Sequence, residues 1–437
     1  MRASQQGQVL VLGLLFALLL GLVLQRFFYV GQVNQQVVRQ RHALDAATYS
    51  GALLQAQVLN YTAYMQRAYI GHQLAMAHLI TMASWAHFAG TEAVRVGLRN
   101  PPVSVIGMMF GPEHAIAYQS STLAAGSTQE AGFYRALGRA FAQHDHFAQQ
   151  VMSPSLLQIR QQLPLWREQV MWQVLQDNYP EFDPNQLKQQ MQLHIYDESW
   201  DGYTVWEPGL SLRPWLQELM KHYAFLQPRN HTIKNTWVVD PRCPHKRHEL
   251  RRRGQTQLDE KGLWHAEDTQ SYHALRSNRW IGCYHREYPM GWAWLPSHAQ
   301  KTSASEVIDD PPEDFSQQDF WRWVEQNTNW NIFSGNSNPL AASWAKKDQK
   351  TWQGRGLAAW LRVQEKPSSL AFSTELIWQS PYGVTMSSRS GAESYFVRPH
   401  PRQDRKKEKS NLLHAFWQAR LQHRHWLTPL GIGGKDE

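Results

Sequence analysis

From Val9 to Val30 the chain reads VLVLGLLFALLLGLVLQRFFYV, with only Gln25 and Arg26 interrupting the apolar positions. A helix needs about 20 such residues to cross the hydrocarbon core of a bilayer. A helix is also what forms there, because lipid offers no partner to bare backbone groups. The pattern predicts a single N-terminal membrane span, with the rest of the 437 residues on one side. A cleaved signal peptide is the competing reading, and it requires small residues in an A-x-A-like pattern just after the run. Here the run closes on Gln25-Arg26-Phe27-Phe28-Tyr29-Val30. Those residues are bulky, and the aromatic trio fits an interfacial belt. They favour an uncleaved anchor.

The apolar pattern then changes period without a break. Gly31 to Leu98 contains no proline. Leu44, Ala47, Gly51, Leu54, Val58, Tyr61, Met65 and Tyr69 recur at steps of three and four, which marks one face of a helix. The stretch Ala43 to Ala52 is rich in small residues, which let another helix approach closely. Such a face serves equally as an intramolecular core or as a packing surface in a multi-chain assembly. Asn100-Pro101-Pro102 stops the helix, and a loop is expected to about Gly126. Helical period returns from Thr128 to Val151. It restarts at Ser153-Pro154-Ser155 with the proline in a first turn, and runs to Asn178. A short helix follows Ser211, with Pro214 in its first turn.

Near Asn230 the alternation becomes strand-like. Thr236 to Asp240, Gly254 to Asp259, Gly262 to His273 and Trp280 to Glu287 suggest an antiparallel sheet with turns at Gly254 and Gly262. Gly356 to Glu365, Ser373 to Trp378 and Ser394 to Val397 are further strands. Residues 299–318 read as a polar loop and Ser316 to Asn327 as a helix. Leu412 to His423 is helical or extended. The fold class expected is α+β: an N-terminal transmembrane helix continuing into a mostly helical region, then a mixed C-terminal domain with an antiparallel sheet. The segments are a membrane anchor at 1–30, a long helical segment at 31–99, a helical region at 100–230 and an α+β domain at 231–437.

Composition changes this picture only locally. Twenty Trp, 16 Tyr and 16 Phe supply ample core material. Lys and Arg exceed Asp and Glu by 44 − 36 = 8. The excess is concentrated in two runs. One is Arg242, Lys246, Arg247, Arg251, Arg252 and Arg253 with His245 and His248; the other is Arg402, Arg405, Lys406, Lys407 and Lys409. Solvated loops are the expectation for both, with contact to anionic lipid or a polyanion as the sharper alternative. Nucleic acid is not expected as a partner, because no nucleic-acid fold signature accompanies the charge. No Gly-rich phosphate loop, G-x-S-x-G or H-E-x-x-H occurs, so no catalytic or cofactor-binding residues are expected. One cluster carries chemistry: Cys243-Pro244-His245…His248 with Cys283-Tyr284-His285. Two thiolates and imidazoles would suit zinc; the two cysteines would equally form one disulfide. The compartment decides between these. Arg2 and the α-amine precede the span, while Arg26, Arg39 and Arg41 lie at or after its end, so the positive-inside rule leans slightly against an N-in topology. The cysteines lean the other way.

The opening Gly7-Gln8-Val9-Leu10-Val11-Leu12 and the apolar helix after it resemble the TadE/TadG-like proteins of Flp (Tad) pilus assembly. The resemblance continues through Asp45-Ala46-Ala47-Thr48-Tyr49-Ser50-Gly51-Ala52 and Leu59-Asn60-Tyr61-Thr62-Ala63-Tyr64. Trp264 to Thr269, Gly291-Trp292 and the tail Asn411 to Leu421 look like segments of longer members. The resemblance implies a single-pass inner-membrane protein with its bulk in the periplasm. It would be a pilin-like or accessory component, non-enzymatic, meeting other pilus or secretion-system subunits through the N-terminal helix. Residues 31–99 would then be the pilin-like helix. In that compartment a Cys243–Cys283 disulfide is favoured over zinc. It would close a loop of about 40 residues, for which chain entropy suggests roughly 4 kcal/mol. This chain departs from the family at two points. If Gly7 preceded a prepilin-peptidase cut, the fifth mature position would be Leu12 in place of Glu, which leaves processing open. The string Asp197-Glu198-Ser199-Trp200-Asp201 lacks the last Ser of a von Willebrand A-like metal motif, so no metal is expected there. Two other classes stay in view: a membrane-tethered binding module (sensor or adhesin), motivated by the Trp content, and a zinc-dependent membrane-bound enzyme built on the Cys/His cluster.

Overall fold

A computed structural model describes residues 6–124, 127–196, 200–279, 282–296, 352, 354–364, 369–379 and 384–422. The helices are α1 (Gln6–Gly97), α2 (Val103–Phe110), α3 (Pro112–Ala124), α4 (Ser127–His146), α5 (Ser153–Asn178), α6 (Pro184–Gln190), α7 (Trp200–Tyr203) and α8 (Arg213–Met220). The strands are β1 (Met191–Tyr196), β2 (Thr204–Glu207), β3 (His231–Lys234), β4 (Glu249–Leu258), β5 (Trp264–Asn278), β6 (Gly282–Pro296), β7 (Trp360–Val363), β8 (Ser369–Gln379), β9 (Thr385–Phe396) and β10 (Trp417–Leu421). Helices and antiparallel sheets segregate along the chain, so the fold is α+β. The chain divides into two compact units. The first is Met1–Gln66, Leu156–Trp206 and Leu361–Glu437; the second is Arg67–Ser155 and Glu207–Trp360.

In the first unit an antiparallel sheet in the order β1-β8-β9-β10 carries α1 and α5 on its face. The registers place Leu376 opposite Leu193 and Ser388, and Phe396 opposite Trp417. The small residues after the span explain the close packing. Ala43, Ala47 and Ala52 are buried in one core with Met171, Leu175, Phe372, Leu376 and Trp378, and Ala56 in a second with Leu59, Leu163, Phe396 and Trp417. Residues 9–24 of α1 are exposed throughout. Val9 to Val30 rises about 33 Å at 1.5 Å per residue, close to the hydrocarbon thickness of a bilayer.

In the second unit the sheet order is β3-β4-β5-β6. The β5–β6 hairpin shifts register between Gln270 and Ser271. Ile106, Phe110 and Tyr118 from α2 and α3 pack on Leu250, Tyr272, Ala274 and Met290.

Several sequence expectations are corrected here. Residues 103–124 form two helices instead of a loop. Pro102 caps α2, Pro112 opens α3 and Gly111 turns between them at φ 107°, so Pro and Gly act as helix punctuation. There is no break before Ser153: α4 passes through a π-helical turn, Phe147–Met152, directly into α5. Widened π turns occur inside otherwise continuous helices. The first strand of the second sheet is His231–Lys234, not Thr236 to Asp240, because Asn235 folds back to bond Trp237 O and His248 N. Gly262 does lie in the turn between β4 and β5. Gly254 lies mid-strand opposite Asp268, for a reason given below. Leu412 to His423 contains strand β10, the extended option. The expected loop at 299–318, the helix at Ser316 to Asn327 and Asp197 to Ser199 of the metal-like string fall outside the described residues.

Candidate functional site

The predicted helix face is only partly one surface. Leu44, Ala47 and Gly51 are buried, with Met171 and Arg167 packed over Gly51. Leu54 and Val58 are half-buried and Tyr61 is 53% exposed. The steps in that series average under 3.6 residues, so the series drifts. Over 17 residues at 100° each, Tyr61 lies about 100° around the axis from Leu44. The face that contacts the sheet instead runs through polar side chains. Gln40 Nε2 donates to Leu376 O (2.8 Å) and Thr48 Oγ1 meets Thr374 Oγ1 (2.7 Å). Gln55 Nε2 donates to Leu370 O and to Ser394 Oγ. Asn60 bonds Trp417 both ways, Nδ2 to the carbonyl and Oδ1 from the N–H, each at 2.9 Å. Gln66 bonds Leu412 O and Leu361 N. These amide N–H groups find partners inside the fold, where burying them unpaired would be costly. Sequence reasoning missed them. Their signal was Gln and Thr recurring at helical spacing within an apolar stripe.

The opposite side of α1 in this unit is exposed and partly apolar: Val38, Tyr49, Leu53, Tyr61 and Tyr64. They recur at helical spacing.

In the second unit Cys243 and Cys283 form a disulfide with Cα atoms 6.0 Å apart. The nearby histidines are engaged elsewhere. His248 Nδ1 accepts from Leu275 N (2.8 Å), and His285 Nε2 lies 2.8 Å from Arg247 O. Burial, reinforced by Arg276, pushes His248 down to about 4. Among the described residues no group of three or more His, Cys, Asp or Glu is placed to hold a metal.

The basic run beside the disulfide is not one solvated loop, which corrects the expectation. Arg242 is exposed and pairs with Asp240, whose carboxyl is held below its ordinary range first by that hydrogen bond. Arg251 and Arg252 lie in β4 and are largely buried. Arg252 and Arg229 enclose Asp268, whose side chain is fully buried. Arg229 donates to both carboxylate oxygens (3.0 and 3.1 Å), Arg252 Nη2 to Oδ1 (3.1 Å) and Ser84 to Oδ2 (2.7 Å). Gly254 is where it is because of this cluster. A Cβ there would stand 2.4 Å from Asp268 Oδ1 and 3.0 Å from Arg229 Nε. The second basic run, Arg402 to Lys409, is exposed as expected.

Beside the cluster opens a cleft of about 570 Å³. Trp85, Phe88 and Glu92 reach it from α1, Ser120 and Ser121 from α3, and Arg252 from β4. The Arg252 guanidinium lies 3.7 Å over the Phe88 ring and 5.7 Å from that of Trp85. Glu92 is 8% exposed. Burial pushes its carboxyl up to about 8, against the opposing pull of Arg252. Gly291 makes room for this arrangement: a Cβ there would be 2.9 Å from both Glu92 Cβ and the Phe88 ring.

No protein-family model, curated protein or solved structure matches the chain.

Proposed function

We propose that this protein is a membrane-anchored, pilin-like or accessory component of a Flp/Tad-type pilus or secretion assembly, with no enzymatic activity of its own. The bulk of the chain lies in the periplasm, after a single pass through the inner membrane. One observation carries the reading: the exposed apolar run of Val9 to Val30 continues without a break into the helix around which the first unit is built. A side chain on α1 is therefore held at a set rotation and distance from the membrane. The exposed stripe of Val38, Tyr49, Leu53, Tyr61 and Tyr64 supports the reading, because it leaves one helix face open to neighbouring subunits. The disulfide suits an oxidising compartment.

Two experiments test it. Maleimide labelling of Cys243 and Cys283 in intact cells should occur only after treatment with an impermeant reductant. Free thiols reached only after lysis would place the domain in the cytoplasm and end the proposal. A photo-crosslinker at Tyr61 or Tyr64 should capture pilus or secretion subunits, and a chain lacking residues 1–35 should lose them. Normal partner binding by that truncated chain, with pilus formation intact after deletion of the gene, would equally overturn the assembly role.

A further inference from the structure

We propose that the cleft of the second unit binds a small ligand with a carboxylate on a flat apolar body, the carboxylate meeting Arg252 and Glu92 and the body lying on Trp85 and Phe88. The cleft volume suits such a molecule, and ligand sites characteristically combine apolar walls with a few convergent polar groups. The two arginines differ in what they have left to give. Arg229 commits Nε and Nη2 to Asp268 and Nη1 to Phe225 O, Gln227 O and Thr256. Arg252 donates Nη2 to Asp268, and among the described residues no hydrogen bond engages its other side-chain nitrogens. The planar guanidinium fork is matched to a carboxylate. No hydrogen bond from the described residues reaches the Glu92 carboxyl, although it lines the cleft and is more than nine-tenths buried. A carboxyl in that position is stable as the neutral acid and can donate to an anion.

Charge selects the sign of the ligand. Two guanidiniums face one buried carboxylate, Asp268, so an ammonium group would be repelled and an anion attracted. Trp85 is 45% exposed, braced from behind by the Phe225 ring at 5.7 Å, and presents an aromatic surface for a flat body.

The groups that act on Glu92 are Arg252 from β4 and Tyr118 from α3, and Tyr118 in turn meets Arg95 of α1. Burial raises the Tyr118 hydroxyl, and it lowers His231 at the cleft wall, with Arg252 adding to the effect. Glu92 is thus the group whose charge changes near pH 8.

The test is equilibrium dialysis of the full chain in detergent against labelled phenylacetate, with phenylacetamide as the neutral probe. Phenylacetate should bind at least about tenfold tighter than the amide, the factor expected for one charge-assisted hydrogen bond. Its affinity should fall as the pH rises through about 8, as Glu92 ionises. Glu92→Gln should retain binding but flatten that profile, and Trp85→Ala should weaken binding about fivefold, as expected for loss of one aromatic contact. Stronger binding of N-acetyl-phenylalanine than of phenylacetate would assign the site to a peptide C-terminus, and the reverse to a free organic acid. Equal binding of acid and amide, no binding of either at millimolar concentration, an unchanged pH profile in Glu92→Gln or unchanged affinity in Trp85→Ala would each overturn the proposal.

Discussion

In the first unit α1 meets its sheet largely through neutral groups, with the Asp45 carboxylate, which accepts from Ser390, as the charged exception. Gln40, Thr48, Gln55 and Asn60 bond backbone carbonyls, hydroxyls and one N–H, and alanines fill the gaps between them. In the second unit the same helix meets a sheet of the same strand number through Ser84, which donates to a buried carboxylate held by two arginines, and through Thr81 and Thr91. Both arrangements satisfy buried polar groups. They fail differently, however. Removing a neutral hydrogen bond exposes one dipole to burial without a partner, whereas removing one member of an ion cluster leaves a full charge uncompensated.

The sharpest break of this comparison is Asp268→Ala. It would leave Arg229 and Arg252 without their shared partner, and breaking a buried pair in this way costs roughly 3–5 kcal/mol. Hydrogen exchange of peptides from β4 to β6 should accelerate accordingly, while those from β8 and β9 stay unchanged. Equal loss of protection in both sheets would show that the two units unfold together. Next in size is reduction of Cys243–Cys283. Its residues are separated by 40 positions, a loop for which the chain-entropy estimate is about 4 kcal/mol and measured values are commonly about 2–4. Dithiothreitol should therefore lower the denaturant midpoint of the second unit alone.

In the first unit Gln55→Ala removes the acceptor of Arg167 Nη1 and the donor to Leu370 O. The expected cost is about 1–3 kcal/mol, read as faster exchange in β8. A cost as large as that of Asp268→Ala would erase the distinction between neutral and ionic packing.

The pH slopes of the second unit oppose one another. His248 accepts an N–H at Nδ1 and is pushed from 6.5 to about 4. The unfolded chain thus takes up the proton first, and the second unit loses stability as the pH falls below 6.5. Glu92 is raised from 4.5 to about 8. The folded form holds that proton more tightly, so its contribution is complete below 4.5 and is lost as the pH rises through 8. Glu92→Gln should remove the alkaline slope and leave the acid one. Exchange corrected for the intrinsic rate, between pH 5 and 8.5, checks both signs. In the first unit Glu375 and Glu393 are lowered instead, Glu375 chiefly by its hydrogen bond from Ser387. Their contribution is present above 4.5 and lost only in acid.

Much of the architecture was legible in the pattern of residues. The apolar run, the proline-free helix after it, the short helix at Pro214, the hairpin turn at Gly262 and the α+β class follow from periodicity and punctuation, which are local properties. The cleft was not legible. Trp85, Phe88 and Glu92 are close in sequence, but Arg252 and Asp268 come from distant strands, and no spacing rule links them. Gly254 was misread for a related reason: a glycine that makes room for a distant Asp–Arg pair looks, locally, like a glycine that makes a turn. Helix period also misassigned one end of the packing face, because a few degrees of error per residue accumulate from Leu44 to Tyr61.

The sequence by itself determined the apolar N-terminal helix, its continuation and the placement of two cysteines, since each depends on neighbours along the chain. Tertiary structure alone decided that residues 361–363, 369–379 and 384–422 complete a unit begun by residues 6–66. It also decided that Arg252 is buried rather than solvated, and that burial at the edge of a cleft raises the Glu92 carboxyl to about 8. Burial and charge neutralisation depend on what the rest of the chain brings within a few ångströms, and that information is carried by no single segment.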